Sequence, residues 1–182
     1  MLVLLLVGCS ESGITLSEVR EVLPTLVEKS IPLNGIYFGE GFLPNGEAPA
    51  SEVAGYYYAN SMAQGFASIE EIRAATEEVF TPAYAAILYA FAFDGQTVGE
   101  TVIAPRYIEG EMGILQAIGF KVYDLPARVY DYGTLRIVES EGNRVTVAVD
   151  TVANGETVPV ELIVNRTVTA DGNVYRLDSP TY

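Results

Sequence analysis

The stretch from Tyr130 to Tyr182 constrains the fold of this chain more than any other. It is divided by three turn signals, Glu141-Gly142-Asn143, Asn154-Gly155 and Asp171-Gly172-Asn173. Asn-Gly and Asp-Gly pairs favour tight hairpins, because both central residues of such a turn need positive φ, which these residue types reach at little cost. The sequence therefore predicts four strands of an antiparallel meander.

Apolar residues alternate along the predicted strands. They are Leu135 and Ile137, then Val145, Val147 and Val149, then Val158, Val160, Leu162 and Val164. A period of two places one row of side chains on one face of a sheet. That face needs a cover, which the preceding part of the chain must supply.

Helical patterns come first in the chain. The segment Thr15–Glu28 carries apolar residues at helical spacing, and Pro24 within it predicts a kinked or two-part helix. A further helix is predicted over residues 50–64, which include the consecutive tyrosines Tyr56–Tyr58. Because these three side chains cannot all point the same way on a helix, at least one hydroxyl must reach polar surroundings.

The strongest helix signal is Ser68–Phe80, where Ser68 and Glu71 form a predicted capping box. Thr81 and Pro82 then predict the cap and first residue of another helix. Helices first and a curved C-terminal antiparallel β-meander last indicate an α+β fold with the N-terminal helices packed on the meander. With 182 residues, we expect a single domain over residues 14–182.

Charge and composition exclude several classes of function. The chain has 10 basic and 24 acidic residues, so its formal charge of -14 disfavours nucleic acid as a partner. It has no histidine, which excludes the usual zinc sites, Ser-His-Asp triads and Cys-His pairs. We therefore expect no catalytic residues, no metal and no cofactor, although carboxylate-only catalysis and an oxygen-ligated calcium site remain open.

The N-terminus predicts a lipid anchor. An apolar run from Met1 to Val7 precedes Gly8 and Cys9, and the segment Leu6–Cys9 is similar to a bacterial lipobox, in which the cysteine is diacylated. Residues 1–13 are then signal, lipobox and tether. No Lys or Arg precedes the apolar run, which departs from the signal-peptide pattern, and a buried N-terminal strand with a core cysteine is the alternative. Cys9 is the only cysteine, so no internal disulfide is expected.

Similarity to a known family is carried by short segments: Ser68-Ile69-Glu70-Glu71-Ile72, Val79-Phe80-Thr81-Pro82-Ala83-Tyr84, Pro105-Arg106-Tyr107, Tyr130-Asp131-Tyr132-Gly133-Thr134 and Tyr175-Arg176-Leu177-Asp178-Ser179-Pro180-Thr181-Tyr182. In these segments the chain resembles the IseA-type DL-endopeptidase inhibitor family, small secreted or lipidated proteins of Firmicutes. The resemblance implies a non-catalytic envelope protein that blocks the active-site cleft of cysteine-type peptidoglycan endopeptidases. The partner would then be a cell-wall hydrolase, and the protein would be extracytoplasmic, held to the membrane only by its lipid.

The family's inhibitory loop lies between strands of the β-rich part, and the nearest candidate here is the glycine-rich region Glu109–Gly119. Its candidate partner-binding residues are Glu109, Glu111, Met112, Ile114 and Leu115. Such a loop can plug a cleft, or it can simply connect two strands. A candidate polar aromatic surface is formed by Tyr57, Tyr58, Tyr107, Tyr130 and Tyr132.

Two other classes of function remain open from the sequence. One is a small-ligand binder or carboxylate-based enzyme on a helix-and-sheet cone, of the ketosteroid-isomerase type. There Asp131 or Asp178 would act as base and tyrosine hydroxyls as oxyanion donors. The other is a purely structural accessory domain.

Overall fold

The computed structural model describes residues 13–46, 50, 53–119 and 125–182. The predictions for residues 1–12, including the lipobox and Cys9, lie outside the described residues. In the described part the helices are α1 (Leu16–Tyr37), α2 (Ile69–Val79) and α3 (Pro82–Tyr89), and α3 continues into a π-helical turn at Ala90–Asp94.

The described strands are β1 (Tyr56–Tyr58), β2 (Gln96–Val98), β3 (Thr101–Ile103), β4 (Tyr107–Gly110), β5 (Gly113–Ala117), β6 (Arg128–Glu141), β7 (Arg144–Ala153), β8 (Glu156–Thr169) and β9 (Gly172–Leu177). They form three antiparallel sheets with strand orders β1-β5-β4, β2-β3 and β6-β7-β8-β9. Helices and antiparallel sheets pack as separate layers, so the predicted α+β fold is confirmed.

The C-terminal meander consists of β6 to β9, each paired antiparallel with the next strand. At the β7–β8 turn, φ is 52° at Asn154 and 82° at Gly155, the positive values from which the hairpin was predicted. Val147 lies opposite Leu162, and both side chains are buried beneath the helices. Most of the predicted rows thus face the core, since Leu135, Val145, Val149 and Val164 are buried as well. Ile137 and Val158, at the ends of their rows, are instead exposed.

The sheet curves where β6 pairs irregularly with β7. The register shifts between Asp131 and Arg136 and again between Ile137 and Glu139. Bulges of this kind bend the strand and increase its right-handed twist. The bent sheet packs against α1 through β6 and β9.

The first helix is longer than predicted. Thr15 caps it through a capping box, in which the carboxylate of Glu18 accepts from the Thr15 amide at 2.8 Å. The helix then continues through Pro24 and Pro32 to Tyr37. Of the two expected forms, a kinked or a two-part helix, the two-part form is therefore wrong, because α1 is continuous.

The position of the two prolines explains why α1 continues. Each proline removes the hydrogen bond to the carbonyl four residues earlier, at Arg20 for Pro24 and at Glu28 for Pro32. Arg20 and Glu28 are both exposed, so water can replace the missing donors. The prolines consequently leave the buried stripe of the helix intact.

The predicted N-caps of α2 and α3 are confirmed, whereas the capping box predicted at α2 is only half formed. The Ser68 hydroxyl accepts from the Glu71 amide at 3.2 Å, while the Glu71 carboxylate accepts from the amide of Ala67 at 2.6 Å, one residue before the cap. Thr81 caps α3 through its hydroxyl, with Pro82 at the first turn.

The junction between α2 and α3 is joined to the last strand. Phe80 forms a parallel bridge with Leu177, and the Thr81 amide donates to the Leu177 carbonyl at 2.8 Å. The Thr81 hydroxyl also donates to the Asp178 carboxylate. Two of the segments that carry the family resemblance thus lie side by side, where they attach the helices to the sheet.

The helix predicted over residues 50–64 is wrong. Tyr56–Tyr58 forms strand β1, paired with β5, and only the 3₁₀ turn Ser61–Gln64 is helical there. Gly55, at φ 85°, turns the chain immediately before the strand. Consecutive tyrosines favour a strand because alternate rings then pack on opposite faces of the sheet.

One large core joins the helices to the meander and to β4 and β5, and a smaller cluster of Ala50, Tyr56 and Leu115 lies on the other side of the three-stranded sheet. In the part of the chain that is described, no helix is both long and apolar enough to cross a bilayer.

Candidate functional site

The region expected to be a loop, Glu109–Gly119, is a tight hairpin. Strands β4 and β5 pair up to Gly110 and Gly113, so Glu111 and Met112 alone form the turn. Both are exposed, and the Met112 side chain is 79% exposed. A thioether that is flexible and apolar therefore stands at the tip of a rigid two-stranded element.

The base of this hairpin is tied to the helical layer. The Glu109 carboxylate accepts a hydrogen bond from the backbone N–H of Ile69 at 2.6 Å, in the first turn of α2. Free N–H groups at a helix N-terminus favour a negative charge. Glu109 thus holds the hairpin in position, while its side chain remains exposed.

Two other predicted contact residues are part of the core. Ile114 and Leu115 are buried, Ile114 in the main core and Leu115 in the smaller cluster. Their assignment to the partner-binding loop is wrong, because β5 places Ile114 on one face of the sheet and Leu115 on the other, and both side chains are covered. The exposed members of the predicted partner-binding set are Glu109, Glu111 and Met112.

A shallow depression of about 420 Å³ lies beside the hairpin tip. It is lined by Val53, Glu109, Gly110, Glu111 and Leu115. Its two carboxylates make this side of the hairpin acidic.

A buried arginine fixes the three-stranded sheet to the end of α1. Arg106 is fully buried, and its guanidinium donates to the carbonyls of Tyr37 at 2.9 Å and Gly39 at 2.6 Å. Burial lowers the pKa of Arg106 from its ordinary value. Since the carbonyls at a helix C-terminus carry partial negative charge and lack intrahelical donors, this cation both satisfies and stabilises them.

Gln116 makes a second connection in the same place. Its Oε1 accepts from the Phe42 amide at 2.7 Å, and its Nε2 donates to the Glu40 carbonyl at 2.9 Å and to the Tyr57 hydroxyl at 2.5 Å. Tyr57 in turn donates to the Phe42 carbonyl at 2.9 Å. The platform that carries the hairpin is therefore held by a network of buried hydrogen bonds.

The predicted tyrosine surface separates into two groups. Tyr107 is fully buried and donates to the Ile36 carbonyl at 2.8 Å, so its assignment to a surface is wrong. Tyr57 and Tyr58 are half-buried in β1. Tyr130 and Tyr132 lie on β6, their rings stacked at 5.9 Å with an interplanar angle of 12°.

Sequence reasoning missed a groove of about 360 Å³ where the later turns of α1 approach the start of β6. Its lining includes Ile31, Leu125, Pro126, Arg128, Tyr130 and Tyr182. One feature of the sequence could have indicated this groove. Arg128, Tyr130 and Tyr132 are spaced two residues apart in a predicted strand, so all three lie on the same face of the sheet, which here is the face towards the helices.

The carboxylates considered for catalysis have structural partners. Asp131 is exposed and accepts from the Gly133 amide at 3.0 Å, within the bulged part of β6. Asp178 accepts from Thr81 and lies 4.0 Å from Arg144. Among the described residues, no hydrogen bond joins Asp131 or Asp178 to Tyr107.

In the same part of the chain, no three side chains of the types that bind metals lie close enough together to hold a metal ion.

Comparison with known proteins gives no assignment: no protein-family model, no curated protein and no solved structure matches this chain.

Proposed function

We propose that this protein is a non-catalytic binder and inhibitor of cysteine-type peptidoglycan DL-endopeptidases in the cell envelope. The observation that carries the proposal is the β4–β5 hairpin, whose exposed Met112 stands at a two-residue tip above a fixed base. A pre-ordered tip loses little conformational entropy when it enters a cleft. The same segment is the nearest candidate in this chain for the inhibitory loop that the resemblance implies.

The chemistry of the tip suits a cleft with an apolar floor and a basic rim. Methionine is enriched at protein interfaces and adapts to irregular pockets. The neighbouring Glu111 and the formal charge of -14 would steer the protein towards a basic partner.

Anchoring at Cys9 forms the second half of the proposal. Diacylation of the lipobox cysteine would hold the protein at the membrane surface without a spanning helix. The hairpin would then act on hydrolases that work in the adjacent wall.

The direct test is the digestion of purified cell wall by a cysteine-type DL-endopeptidase, followed as the release of soluble fragments. Added at micromolar concentration, the protein is expected to slow the release in a dose-dependent way. An unchanged rate against several such enzymes would refute the inhibitory function.

A further inference from the structure

Arg128 occupies an unusual position for a cation. It lies on the face of β6 turned towards α1, in one row with Tyr130 and Tyr132, whereas Val129 and Asp131 between them are exposed. Tyr130 and Tyr132 pack against the main core. The guanidinium therefore stands at the edge of the apolar layer and faces the 360 Å³ groove.

The hydrogen-bonding capacity of Arg128 is largely unused. Its Nη1 donates to the Thr151 hydroxyl at 3.1 Å, whereas its Nε is enclosed and has no acceptor. A guanidinium has five N–H donors, so one protein acceptor among the described residues leaves donors of Nη1 and Nη2 for a ligand. In the described residues no carboxylate forms an ion pair with Arg128. A half-buried cation of this kind is stabilised when an anion arrives.

The remainder of the groove is apolar. Ile31 is 58% exposed towards solvent although it is aliphatic, and Leu125 and Pro126 continue the apolar wall. The Tyr130 hydroxyl is already engaged with the Thr181 carbonyl at 2.5 Å, so its ring is what the groove presents. A cavity of this size matches a small ligand whose body is hydrocarbon.

Charge restricts the head group of such a ligand. The chain as a whole is strongly acidic, yet none of the described side chains lining the groove is acidic, and Arg128 is the one cation among those side chains. A single guanidinium balances one negative charge and binds a carboxylate through two parallel hydrogen bonds. A phosphate dianion would need a second cation.

We propose that this groove binds an apolar carboxylate, with the carboxylate on Arg128 and the hydrocarbon chain along Ile31, Leu125 and Pro126. The geometry that carries this inference is a half-buried guanidinium at an apolar groove, with no carboxylate partner among the described residues. It is independent of the inhibitory function and of the hairpin.

Isothermal titration calorimetry of the full chain with octanoate, octanol and octyl phosphate tests the inference. Octanoate should bind at least about tenfold more tightly than octanol, because only the carboxylate forms charge-assisted hydrogen bonds. The difference in affinity between octanoate and octanol should become smaller as the salt concentration is raised, because salt screens the interaction between the carboxylate and Arg128. Equal binding of octanoate and octanol, or no binding of octanoate, would overturn the proposal, and tighter binding of octyl phosphate would overturn the carboxylate assignment.

Two matched variants locate the site. Arg128→Met keeps the apolar stem and should weaken octanoate about tenfold while leaving octanol unchanged. Arg136→Met, on the same strand but exposed and 3.8 Å from Asp150, should bind octanoate like the wild type. Unaltered octanoate affinity in Arg128→Met would refute the site. If that variant fails to fold, the backbone amide chemical shifts of the wild type are measured with and without octanoate. Octanoate is expected to shift the amide signals of residues 128–130. Shifts confined to other residues would refute the site.

Discussion

The carboxylate of Glu109 accepts a hydrogen bond from the backbone N–H of Ile69 at 2.6 Å, and this bond joins the β4–β5 hairpin to the start of α2. The bond serves two elements, because it occupies a free amide at the helix N-terminus and fixes the base of the hairpin. The proposed inhibitory tip is consequently attached to the helical layer at the base of its hairpin.

Removing this contact should lower stability. Glu109→Ala leaves the Ile69 amide without its acceptor, and the free energy of unfolding is expected to fall by about 1 kcal/mol. Glu111→Ala, two residues further along the same hairpin and exposed, should change it by less than about 0.5 kcal/mol. Urea unfolding followed by circular dichroism measures both, and equal values for the two variants would contradict the role given to Glu109.

Gly41 should not tolerate a side chain. Its φ is 76°, and a Cβ there would lie 2.5 Å from Gln116 Oε1 and 2.9 Å from Arg106 Nη2. Gly41→Ala is therefore expected to cost at least about 2 kcal/mol of unfolding free energy, from backbone strain together with displacement of the buried network.

Gly35→Ala is the matched comparison for Gly41. Gly35 lies inside α1, and nothing comes within 4 Å of a Cβ added there. Alanine should leave stability unchanged or raise it by up to about 1 kcal/mol, since glycine weakens a helix interior. Thermal unfolding measures both variants, and their changes in melting temperature should differ in sign or greatly in size. A Gly41→Ala variant as stable as the wild type would contradict the close packing around Arg106.

Glu18 should make the stability of the protein depend on pH in the acidic range. Its carboxylate accepts from the Tyr175 hydroxyl at 2.6 Å, from Thr15 and from Arg166 at 3.3 Å. Donation from Tyr175, then from Thr15, lowers the pKa of Glu18 from 4.5 to about 2. A depressed carboxyl pKa stabilises the fold above pH 4.5, and this contribution is lost as the pH falls towards 2.

The Glu18→Gln variant should therefore be less stable than the wild type by about 1–2 kcal/mol at neutral pH. The difference should shrink as the pH falls through the window from 4.5 to 2. Glu21→Gln, exposed on the same helix, serves as the control. Urea unfolding at a series of pH values measures the difference, and a gap that stays constant down to pH 2 would contradict the assignment.

If Cys9 carries the proposed lipid anchor, replacing Cys9 should change the cell fraction in which the protein is found. Cys9→Ala removes the thiol that would be acylated, so the protein should move from the membrane fraction to the soluble fraction. Ser10→Ala at the next position should leave fractionation unchanged. Membrane association that persists in Cys9→Ala would refute lipidation at this residue.

Local rules were sufficient for much of the fold. Asn154-Gly155 fixed a hairpin because its turn needs positive φ, and Ser68 and Thr81 marked helix starts because their side chains satisfy free amides. Long-range pairing was beyond such rules. The sequence around Tyr56–Tyr58 does not indicate that this segment pairs with β5. The burial of Ile114 and Leu115 depends on how β5 pairs with its neighbours, so it could not be predicted either.

The candidate sites were predicted only in part. The region of the hairpin was identified from its glycines, but which of its side chains are exposed depended on strand register. The buried position of Arg106 was not expected, because arginine is seldom fully buried and its acceptors here are carbonyls more than sixty residues away in sequence. The groove at Arg128 depends on where α1 ends, and the sequence placed that end too early.

The most direct test of the account is the inhibition of a cysteine-type DL-endopeptidase by hairpin-tip variants. Met112→Ser should raise the half-inhibitory concentration about tenfold or more, as expected for an apolar anchor at an interface. Val168→Ser, at a side chain that is 59% exposed in β8, should inhibit like the wild type. Both variants should unfold at the wild-type temperature. Inhibition by Met112→Ser equal to that by wild type would show that the hairpin tip is not the inhibitory element.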